Sequence, residues 1–529
     1  MTEHLEVERK FDVPPDFAVP GLSGMPGCAR VSGPRAERLA ASYFDTGDLR
    51  LARHGVTLRR RSGGADAGWH LKLPVARGTR REIRVRLGAE GAGEEPVPPR
   101  LAGLAAAYAR GRALRQVAVV ETDRRVFGLL DDGGETLAEV ADDRVTAEVA
   151  GDLAAAGAAG DLMTAETAGG TAAEAAGGWV AAGTAHRPGP VRWREIEVEL
   201  GSGPPELLAA IGERLRAAGA RPSAAASKLS RLLGVHRTPP PQRYRTAGDV
   251  LVSYVAAQVT AILDYDPRVR LADDDAVHQM RVAVRRIRSV LRVYGRLLDR
   301  DRAGPLDAEL RWLAACLGTV RDLEVLRGRF ADRIDELGQQ RPGWLGMMAR
   351  QQSAAHARLI KALRDQRYVS LLDALERFVA DPPLAGAAAG DAARTVRPLV
   401  ARAWRRVGRR FAQVDRCASE DDRAAARHAA RKAAKRARYA AEAARPVLGG
   451  PAKAIAATAE RLQEVLGTYQ DGIVAQRRLA QMSDGAGETF LLGMVAGVEH
   501  CAAERTLDDI AAVWAKASKP KYARRLKRL

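Results

Sequence analysis

The sequence predicts a multidomain protein with an N-terminal antiparallel β domain that carries helices, followed by an all-helical domain. In the first half of the chain, polar and apolar residues alternate with the two-residue period of strands. The second half consists of long stretches rich in Ala, Leu and Arg with helical periodicity and few β-branched runs. Between them, "HRTPPPQRY" (236–244) holds three consecutive prolines, which favour an extended spacer. We therefore expect a linker at 236–243.

Composition sets the class of protein. A chain of 529 residues corresponds to about three to four domain-sized units. Its 46% hydrophobic and 28% charged residues are typical of a soluble globular protein with large cores. No apolar run approaches the roughly 18 residues of a membrane span, and the first residues are unlike a signal peptide. Four scattered cysteines without a CxxC pair predict neither a disulfide framework nor a zinc site, so we expect a cytoplasmic protein without membrane insertion.

The positive charge is concentrated in the second half. Up to Pro240 the chain has 32 Lys and Arg against 31 Asp and Glu, whereas from Pro241 onward it has 52 against 34. Almost all of the net charge of +19 therefore belongs to the helical half. Such an asymmetry predicts a polyanionic partner for that half.

The predicted strands of the first half align charged side chains on one face. Alternation in 5–11 places Glu6, Glu8 and Lys10 together, and alternation in 193–200 does the same for three glutamates. Further strands align cations, and the residues concerned are Arg59, Arg61, Lys72, Arg80 and Arg84, with Glu82 among them. In any single strand this pattern is that of a solvated sheet face with cross-strand ion pairs.

Two glutamate-bearing strands favour a different interpretation of the whole set. Glutamates at every second position repel one another unless cations neutralise them, and carboxylate oxygens suit Mg²⁺ or Mn²⁺. The arginines and lysines of the other strands suit phosphate oxygens. A barrel lined by both signs would hold a metal on an acidic wall and a phosphate chain on a basic wall. Metal-assisted phosphoryl hydrolysis requires such an arrangement.

The first half, over residues 3–235, resembles the CYTH domain of the triphosphate tunnel metalloenzyme superfamily. The resemblance rests on Glu6-x-Glu8-x-Lys10, "YFDT" (43–46), "LRRR" (58–61), Lys72, Arg80-x-Glu82, the strand with Glu195, Glu197 and Glu199, and "SKL" (227–229). It implies a closed eight-stranded antiparallel tunnel over about 1–235 that binds triphosphate together with a divalent metal, Mg²⁺ or Mn²⁺.

The same resemblance implies roles for individual residues. Metal ligands would be Glu6, Glu8, Glu195, Glu197, Glu199, Glu139 and Asp143. Triphosphate contacts would be Lys10, Arg59, Arg61, Lys72, Arg80, Arg124 and Lys228. Catalysis would depend on Glu6, Glu8, Lys10 and Glu82. Strand parity in 137–145 favours Glu139 together with Asp143 and turns Asp142 away, although spacing alone leaves that choice open.

Two segments are predicted to lie outside the cores. The stretch 150–178 is rich in Ala and Gly and lacks large apolar residues, so we expect a flexible insertion over about 150–190. Its role, covering a tunnel mouth or hanging free, stays open. The residues 516–529 form a basic tail that we expect to attract anions without forming a site.

A cationic stripe is predicted on a helix of the second half. "HQMRVAVRRIRS" (278–289) contains one histidine and four arginines, and no acid occurs between Ala276 and Leu298. At 100° per residue, one arc of about 80° collects His278, Arg281, Arg285, Arg288, Arg292 and Arg296, with Arg286 at its margin. The opposite arc is apolar. The stripe lacks the i,i+4 acids that normally neutralise an exposed helix.

The stripe occurs twice. "HAARKAAKRARY" (428–439) repeats it at an offset of 150, with His428, Arg431, Lys435, Arg436 and Arg438. "LGTVRDLEVL" (317–326) and "LGTYQDGIVA" (466–475) recur at an offset of 149. Two repeats, over about 244–390 and 391–515, predict one concave site lined from both sides.

The stripe is about 27 Å long at 1.5 Å per residue, so a linear polyanion fits it better than one triphosphate. Nucleic acid is an alternative, but aromatic residues are only 5% of the chain and no recognition motif occurs, so specific nucleic-acid binding is not expected. The residues 244–515 resemble the CHAD domain, which implies a pseudo-twofold helical structure that binds polyphosphate. That contact would involve His278, Arg281, Arg285, Arg286, Arg288, His428, Arg431, Lys435, Arg436 and Arg438. As an alternative, the two histidines would bind a metal ion, but the surrounding arginines would repel it and favour contact with phosphate.

The leading functional hypothesis is a metal-dependent phosphohydrolase acting on inorganic triphosphate or short polyphosphate, with the helical half holding the polymer or attaching the enzyme to polyphosphate granules. One alternative is a non-catalytic polyphosphate-binding protein. Another is a class IV adenylate cyclase acting on ATP, for which no nucleobase pocket is identifiable. The oligomeric state is not predictable from these patterns.

Overall fold

The computed structural model divides the chain into two compact units, Met1–Pro239 and Pro240–Leu529. It describes residues 2–76, 78–87, 96–150, 189–235, 237, 244–483 and 489–519. Nearly all of the predicted insertion, most of the predicted linker and most of the basic tail lie outside these ranges. Strands dominate the first unit and helices make up the second, which confirms the predicted fold class.

The first unit is built on a closed antiparallel barrel. Its strands are β1 (Thr2–Val13), β2 (Arg30–Asp45), β3 (Thr57–Ser62), β4 (Gly68–Ala76), β5 (Thr79–Val85), β6 (Arg115–Leu130), β7 (Thr136–Val149), β8 (Val191–Leu200) and the two-residue β9 (Arg221–Pro222). The sheet order is β5-β4-β3-β2-β6-β7-β8-β1-β9, and β1 also pairs with β5. That additional pairing closes the first eight strands into the predicted eight-stranded tunnel.

Helices cover the outer face of this barrel and bury its apolar residues. They are α1 (Arg50–Arg53), α2 (Pro99–Ala109), α3 (Pro205–Ala217) and α4 (Lys228–Leu233). Because side chains alternate along β8, Ile196 and Val198 point outward and pack with Leu207 and Ile211 of α3, while the intervening glutamates point inward. The short helix α4 begins at Ser227, whose hydroxyl accepts a hydrogen bond from the Ser230 amide at 3.0 Å.

The second unit consists of long helices. They are α5 (Ala247–Arg270), α6 (Ala276–Val293), α7 (Arg300–Glu336), α8 (Gly343–Ala362), α9 (Gln366–Ala380), α10 (Ala392–Val414), α11 (Glu420–Ser483) and α12 (Thr489–Ala517). α11 is kinked at Gly449, whose φ of 54° and ψ of −128° are not helical. Gly450 and Pro451 follow directly, and a proline ring cannot continue the helical hydrogen-bond ladder.

The two predicted repeats make equivalent contacts. Arg281 of α6 lies 2.9 Å from Asp322 of α7, and Arg431 of α11 lies 4.0 Å from Asp471 beyond the kink. A glycine lies under each guanidinium in the two "LGT" segments. A methyl group on Gly318 would lie 3.4 Å from an Arg281 nitrogen. The same group on Gly467 would lie 3.0 Å from Arg431. The repeated glycine and aspartate therefore position the first arginine of each stripe.

One described helix, α5, is long and apolar enough to cross a membrane by length and composition. Over half of its apolar window, 56%, is buried inside the protein. Val250, Leu251, Val255 and Ile262 are all inaccessible to solvent. This burial is typical of a core helix of a globular domain.

Candidate functional site

The barrel register gathers charged side chains inside the tunnel. Residues directly opposite one another in an antiparallel pair point to the same face. Lys10 is opposite Glu197, and Asp143 is opposite Glu195. The interior cavity has a volume of about 380 Å³. Of the residues predicted for the tunnel, those that line this cavity are Glu6, Lys10, Arg59, Arg61, Lys72, Arg80, Glu82, Arg124, Glu139, Glu197, Glu199 and Lys228.

Three carboxylates form a compact cluster at one place on the tunnel wall. Asp143, Glu195 and Glu197 offer oxygen atoms that all lie within 4.8 Å of one another. The Lys228 ammonium lies 2.8 Å from Asp143 and 2.7 Å from each of the two glutamates. A cation thus already has all three carboxylates as neighbours. Oxygen donors in this number suit a hard divalent ion, which would take the place of the ammonium between them.

Two carboxylates of the cluster, Asp143 and Glu197, are ionised at neutral pH. Burial alone would raise the pKa of Glu197, but the charges of Lys10, Lys228 and Arg124 hold it well below the usual range. Burial is likewise outweighed at Asp143, whose pKa is lowered by Lys228 and Arg124. Both carboxylates can therefore bind a cation without first losing a proton.

The neighbouring aspartates Asp142 and Asp143 point to opposite faces of β7. Asp142 accepts two hydrogen bonds from Arg194, at 2.8 and 2.9 Å, on the outer side. Asp143 accepts two from Arg124, at 2.8 and 2.7 Å, inside the tunnel. The structure thus gives these adjacent residues different roles, one in the outer packing and one in the tunnel.

Substituting each aspartate by asparagine should separate these roles. Asp142→Asn leaves the buried Arg194 without a carboxylate partner, and we expect it to lower the free energy of unfolding by about 3 kcal/mol. It should preserve the stabilisation that Mg²⁺ or Mn²⁺ gives, measured as the shift of the thermal midpoint on adding metal. Asp143→Asn should remove most of that shift. Loss of the metal-induced shift in a folded Asp142→Asn protein would contradict the assignment.

The remaining predicted acids are paired with cations instead of forming a separate wall. The Lys72 ammonium donates to both oxygens of Glu6, at 2.6 and 2.7 Å. Glu8 lies 3.0 Å from Lys10 and 3.6 Å from Arg80. The two signs therefore interleave, which corrects the expected division into an acidic and a basic wall. Closure of the barrel brings charges from β1, β4 and β5 onto one inner face, so ion pairs form between strands as well as along β1.

Glu82 is the anion around which the cations of one side gather. It is completely buried, accepts a hydrogen bond from Arg84 at 2.6 Å, and lies 3.6 Å from Lys72 and 4.0 Å from Arg59. Burial would raise its pKa, but a hydrogen bond with His70 and these cations hold it far below its usual range. Glu82 therefore stays ionised and orients the cations around it, a role unlike that of a general acid.

Several tunnel residues escaped the sequence analysis although the same alternation contains their signal. His4 shares a face with Glu6, and His70 shares one with Lys72, each two residues away. The buried His70 ring lies 2.9 Å from Glu82 through one nitrogen and 2.9 Å from the Asp66 carbonyl through the other. Tyr43 belongs to the "YFDT" motif, which does not by itself indicate a tunnel position. Its hydroxyl accepts a hydrogen bond from Arg59 at 3.4 Å.

The two basic helices of the second unit line one cavity of about 500 Å³. Its lining residues are Arg281, Arg285, Arg288, Ser289 and Arg292 of α6, Ala314 of α7, and His428, Arg431, Lys432, Lys435 and Arg436 of α11. None of these lining residues is acidic, and none is Phe, Tyr or Trp. The single concave surface expected from the repeat is therefore present among the described residues.

Three residues predicted for this site lie elsewhere. Arg286 is 3.5 Å from Glu442, and Arg438 donates to the same carboxylate at 2.7 Å. His278 is half-buried but does not line the cavity. A residue one step along a helix is rotated by about 100°, so adjacent arginines face different neighbours.

The stripes are partly neutralised from outside their own helices. Asp307 of α7 lies 3.2 Å from both Arg288 and Arg292. Within the described part of the chain, no acid lies within ion-pairing distance of Arg285, Lys435 or Arg436. Burial, together with the charges of Arg431, Arg285 and Arg281, lowers the pKa of Lys435 to about 7. Such uncompensated repulsion is typical of a site that binds anions.

An acid- and cation-lined antiparallel tunnel followed by a pseudo-twofold basic helical unit defines a class of phosphate-handling fusion proteins. The family model of the CYTH domain matches residues 4–232, and that of the CHAD domain matches residues 253–480. The chain belongs to the family of proteins that join these two domains, as the sequence predicted.

Two proteins are similar to this chain over nearly its whole length, and solved structures are similar to about half of it. Two Mycobacterium tuberculosis proteins, the uncharacterized proteins MT2285 and Rv2226, are each 36% identical to this chain over 534 residues, covering 98% of it and 97% of their own sequences. Among solved structures, PptA from Streptomyces chartreusis is 21% identical with a TM-score of 0.43, covering 51% of this chain and 99% of its own. The CHAD domain from the plant Ricinus communis is 24% identical with a TM-score of 0.42, covering 53% and 97%.

Membership sets the general function. CYTH tunnel proteins are metal-dependent and typically act on phosphoanhydride substrates, and the described acidic cluster suits such a metal. The CHAD domain adds a second region for phosphate-type ligands.

Proposed function

We propose that the tunnel hydrolyses the phosphoanhydride bond of inorganic triphosphate or short polyphosphate with Mg²⁺ or Mn²⁺. One observation carries the proposal: Glu197 of the three-carboxylate cluster lines the same 380 Å³ cavity as an array of arginines and lysines. The cavity wall is almost entirely polar and charged, and Tyr43 is its single phenol or indole side chain among the described residues. An inorganic phosphate chain needs only charge and spacing, which this wall supplies.

Individual side chains divide the work in this proposal. Lys10, Arg59, Arg61, Lys72, Arg80 and Arg124 bind phosphate oxygens, and Asp143, Glu195 and Glu197 hold the metal, with Glu6, Glu8 and Glu139 as further acids of the tunnel. A bound divalent ion supplies charge neutralisation and polarisation at the terminal phosphoryl group. Lysine and arginine side chains exchange their carboxylate partners for phosphate oxygens and stabilise the charge that develops on the leaving phosphate.

A substrate panel tests the tunnel proposal. Inorganic triphosphate, short polyphosphate, thiamine triphosphate and ATP are each incubated with the full chain and Mg²⁺ or Mn²⁺, and the release of phosphate and cyclic AMP is measured. We expect metal-dependent phosphate release, highest with the two inorganic substrates. Cyclic AMP formation from ATP would instead show that the protein is an adenylate cyclase. If no substrate were turned over, the protein would be a non-catalytic binding protein.

We further propose that the cavity of the helical unit binds polyphosphate. Its wall combines nine cationic or histidine side chains from two helices with no acid and no Phe, Tyr or Trp among the described lining residues. Polyphosphate offers regularly spaced anions and no base to stack, so it matches this wall better than nucleic acid does. Holding the polymer would raise its concentration near the tunnel and would favour association with polyphosphate granules.

A further inference from the structure

A third basic helix lies outside both histidine-containing stripes. α10 (Ala392–Val414) contains seven arginines and no acid. Val396, Val400, Val407 and Phe411 are buried in the helical unit. The exposed side of the helix carries what we call the α10 ridge, which comprises Arg394, Arg402, Arg405, Arg406 and Arg409.

The α10 ridge is unpaired and lies along one side of the helix, with four of its arginines close together in 402–409 and Arg394 two turns before them. At 100° and 1.5 Å per residue its five arginines lie within an arc of about 120° over roughly 22 Å. Within the described ranges none of the five has a carboxylate at ion-pairing distance. Other exposed arginines of the same unit have a carboxylate partner: Arg341 lies 2.8 Å from Asp335, and Arg367 lies 2.7 Å from Glu309. Like charges three and four residues apart weaken their own helix, so the ridge is destabilising unless something binds it.

The ridge adjoins the cavity of the helical unit. α10 packs against α6 and α11, the two helices that form the cavity wall. Arg436 lines that cavity. Burial lowers the pKa of its guanidinium, and repulsion from Arg292 of α6 and from Arg406 and Arg410 of α10 lowers it further. The positive field of the cavity therefore continues onto α10.

We propose that the α10 ridge is a second binding surface for polyphosphate, occupied by the part of a long chain that extends beyond the cavity. This rests on the proposed binding of polyphosphate by the helical unit, and it adds that long chains are the preferred ligand. The apolar side of α10 is buried in the core, which leaves nothing to insert into a bilayer. Trp404 and Phe411 are also buried, so the ridge offers no platform for stacking nucleobases.

The surface predicts discrimination by chain length. A chain that just fills the cavity forms ion pairs only with α6 and α11, whereas a longer chain gains further ion pairs along α10. The additional contacts are exposed, so each contributes little and depends strongly on salt. Affinity should therefore rise with length beyond the cavity and show a steeper salt dependence for long chains.

The test is a titration of the full chain with inorganic polyphosphate of graded lengths at several salt concentrations. The variant Arg402→Gln/Arg405→Gln/Arg409→Gln should bind long chains about tenfold more weakly, as expected for three lost exposed ion pairs, and short chains unchanged. The slope of log affinity against log salt concentration should become shallower by about two. Each of the three lost phosphate contacts contributes roughly 0.7 to that slope, the value for single-stranded nucleic acids. A triple lysine variant at the same positions should restore both.

The matched control removes three exposed cations from another helix and its end, as Arg358→Gln/Lys361→Gln/Arg364→Gln, and should change neither quantity. The ridge proposal would be contradicted if the control and ridge variants lost long-chain affinity equally, or if the ridge variant kept its long-chain affinity. Neither result would contradict the cavity proposal. Failure of the wild type to bind any polyphosphate would instead overturn the proposed function. If the ridge variant lost affinity only for single-stranded RNA or for phosphatidylglycerol vesicles, the ridge would belong to those partners.

Discussion

Replacing Glu197 by glutamine is expected to lower metal-dependent triphosphate turnover about a thousandfold, which corresponds to about 4 kcal/mol of transition-state stabilisation. The reason lies in the contacts of this one carboxylate. It belongs to the three-residue cluster and also accepts hydrogen bonds from Lys228 at 2.7 Å and Arg124 at 2.6 Å. A neutral amide would weaken the metal site and release cations that the carboxylate holds in place. Phosphate release at saturating metal measures the effect.

Glu199→Gln is the matched control on the same strand and the same face. Its side chain is 39% exposed, lies outside the three-carboxylate cluster, and has the His4 ring 3.8 Å away as its ion-pair partner. We expect a loss of less than about tenfold. Equal losses in the two variants would show that the cluster is not the metal site. Because Glu197→Gln also leaves buried cations short of a partner, the folded fraction has to be measured at the assay temperature.

Alternation along strands carried most of what the sequence predicted about the tunnel. The inward faces of β1 and β8 follow directly from the two-residue period, which depends only on each strand itself. The pairing of Glu6 with Lys72, 66 residues apart, depends on which strands are neighbours and in what register. The choice of Asp143, Glu195 and Glu197 as the compact cluster likewise comes from the β7–β8 register and from α4. Local periodicity contains neither.

The helical unit shows the same limit in another form. The sequence shows that neither stripe contains an acid. It also predicts the apolar arc of α6, and Met280, Val284 and Ile287 of that arc are buried as expected. It does not show that Asp307 of the following helix neutralises part of the stripe. No short motif identifies α10 either, because its arginines are not preceded by a histidine and do not recur elsewhere at a fixed offset as the two stripes do. Their continuity with the cavity is a property of helix packing.

The two units treat buried charge differently. In the tunnel the cations and carboxylates are nearly balanced and pair with one another, so a substrate must displace existing ion pairs. In the helical cavity the cations outnumber the acids, so an anion relieves repulsion without displacing a partner. The first arrangement suits a site that assembles around metal and substrate together. The second suits retention of a polyanion, and its affinity should respond to the charge state of the cavity.

Polyphosphate affinity is expected to fall as the pH rises above 7, by up to about tenfold per pH unit. Lys435 is the group responsible. Its pKa of about 7 in the free protein arises from burial and from the charges of Arg431, Arg285 and Arg281, with a small opposing contribution from Asp471. A bound polyanion raises that pKa again. Between the free and bound values, binding must therefore take up a proton, which costs more free energy as the pH rises.

Proton uptake is measurable by calorimetric titration in two buffers of different ionisation enthalpy. Lys435→Arg keeps the charge at high pH, so it should hold the affinity nearly constant and abolish the uptake. Lys432→Arg, at an exposed position of the same cavity wall, is the matched control and should retain the wild-type slope. The terminal groups of polyphosphate also titrate near neutral pH. A slope that persisted in Lys435→Arg would therefore belong to the ligand and would contradict the assignment.

The stability of the free protein should depend on pH with the opposite sign. An unfolded chain keeps the proton on Lys435 up to its ordinary pKa of 10.5, whereas the folded chain loses it from about 7. Over that window the unfolded state binds more protons, so the contribution of this residue to folding stability rises with pH. Below about pH 7 both states are protonated and the full repulsion within the cavity remains. Thermal unfolding without ligand should show this rise in wild type and lose it in Lys435→Arg, because a permanent cation keeps the repulsion at every pH.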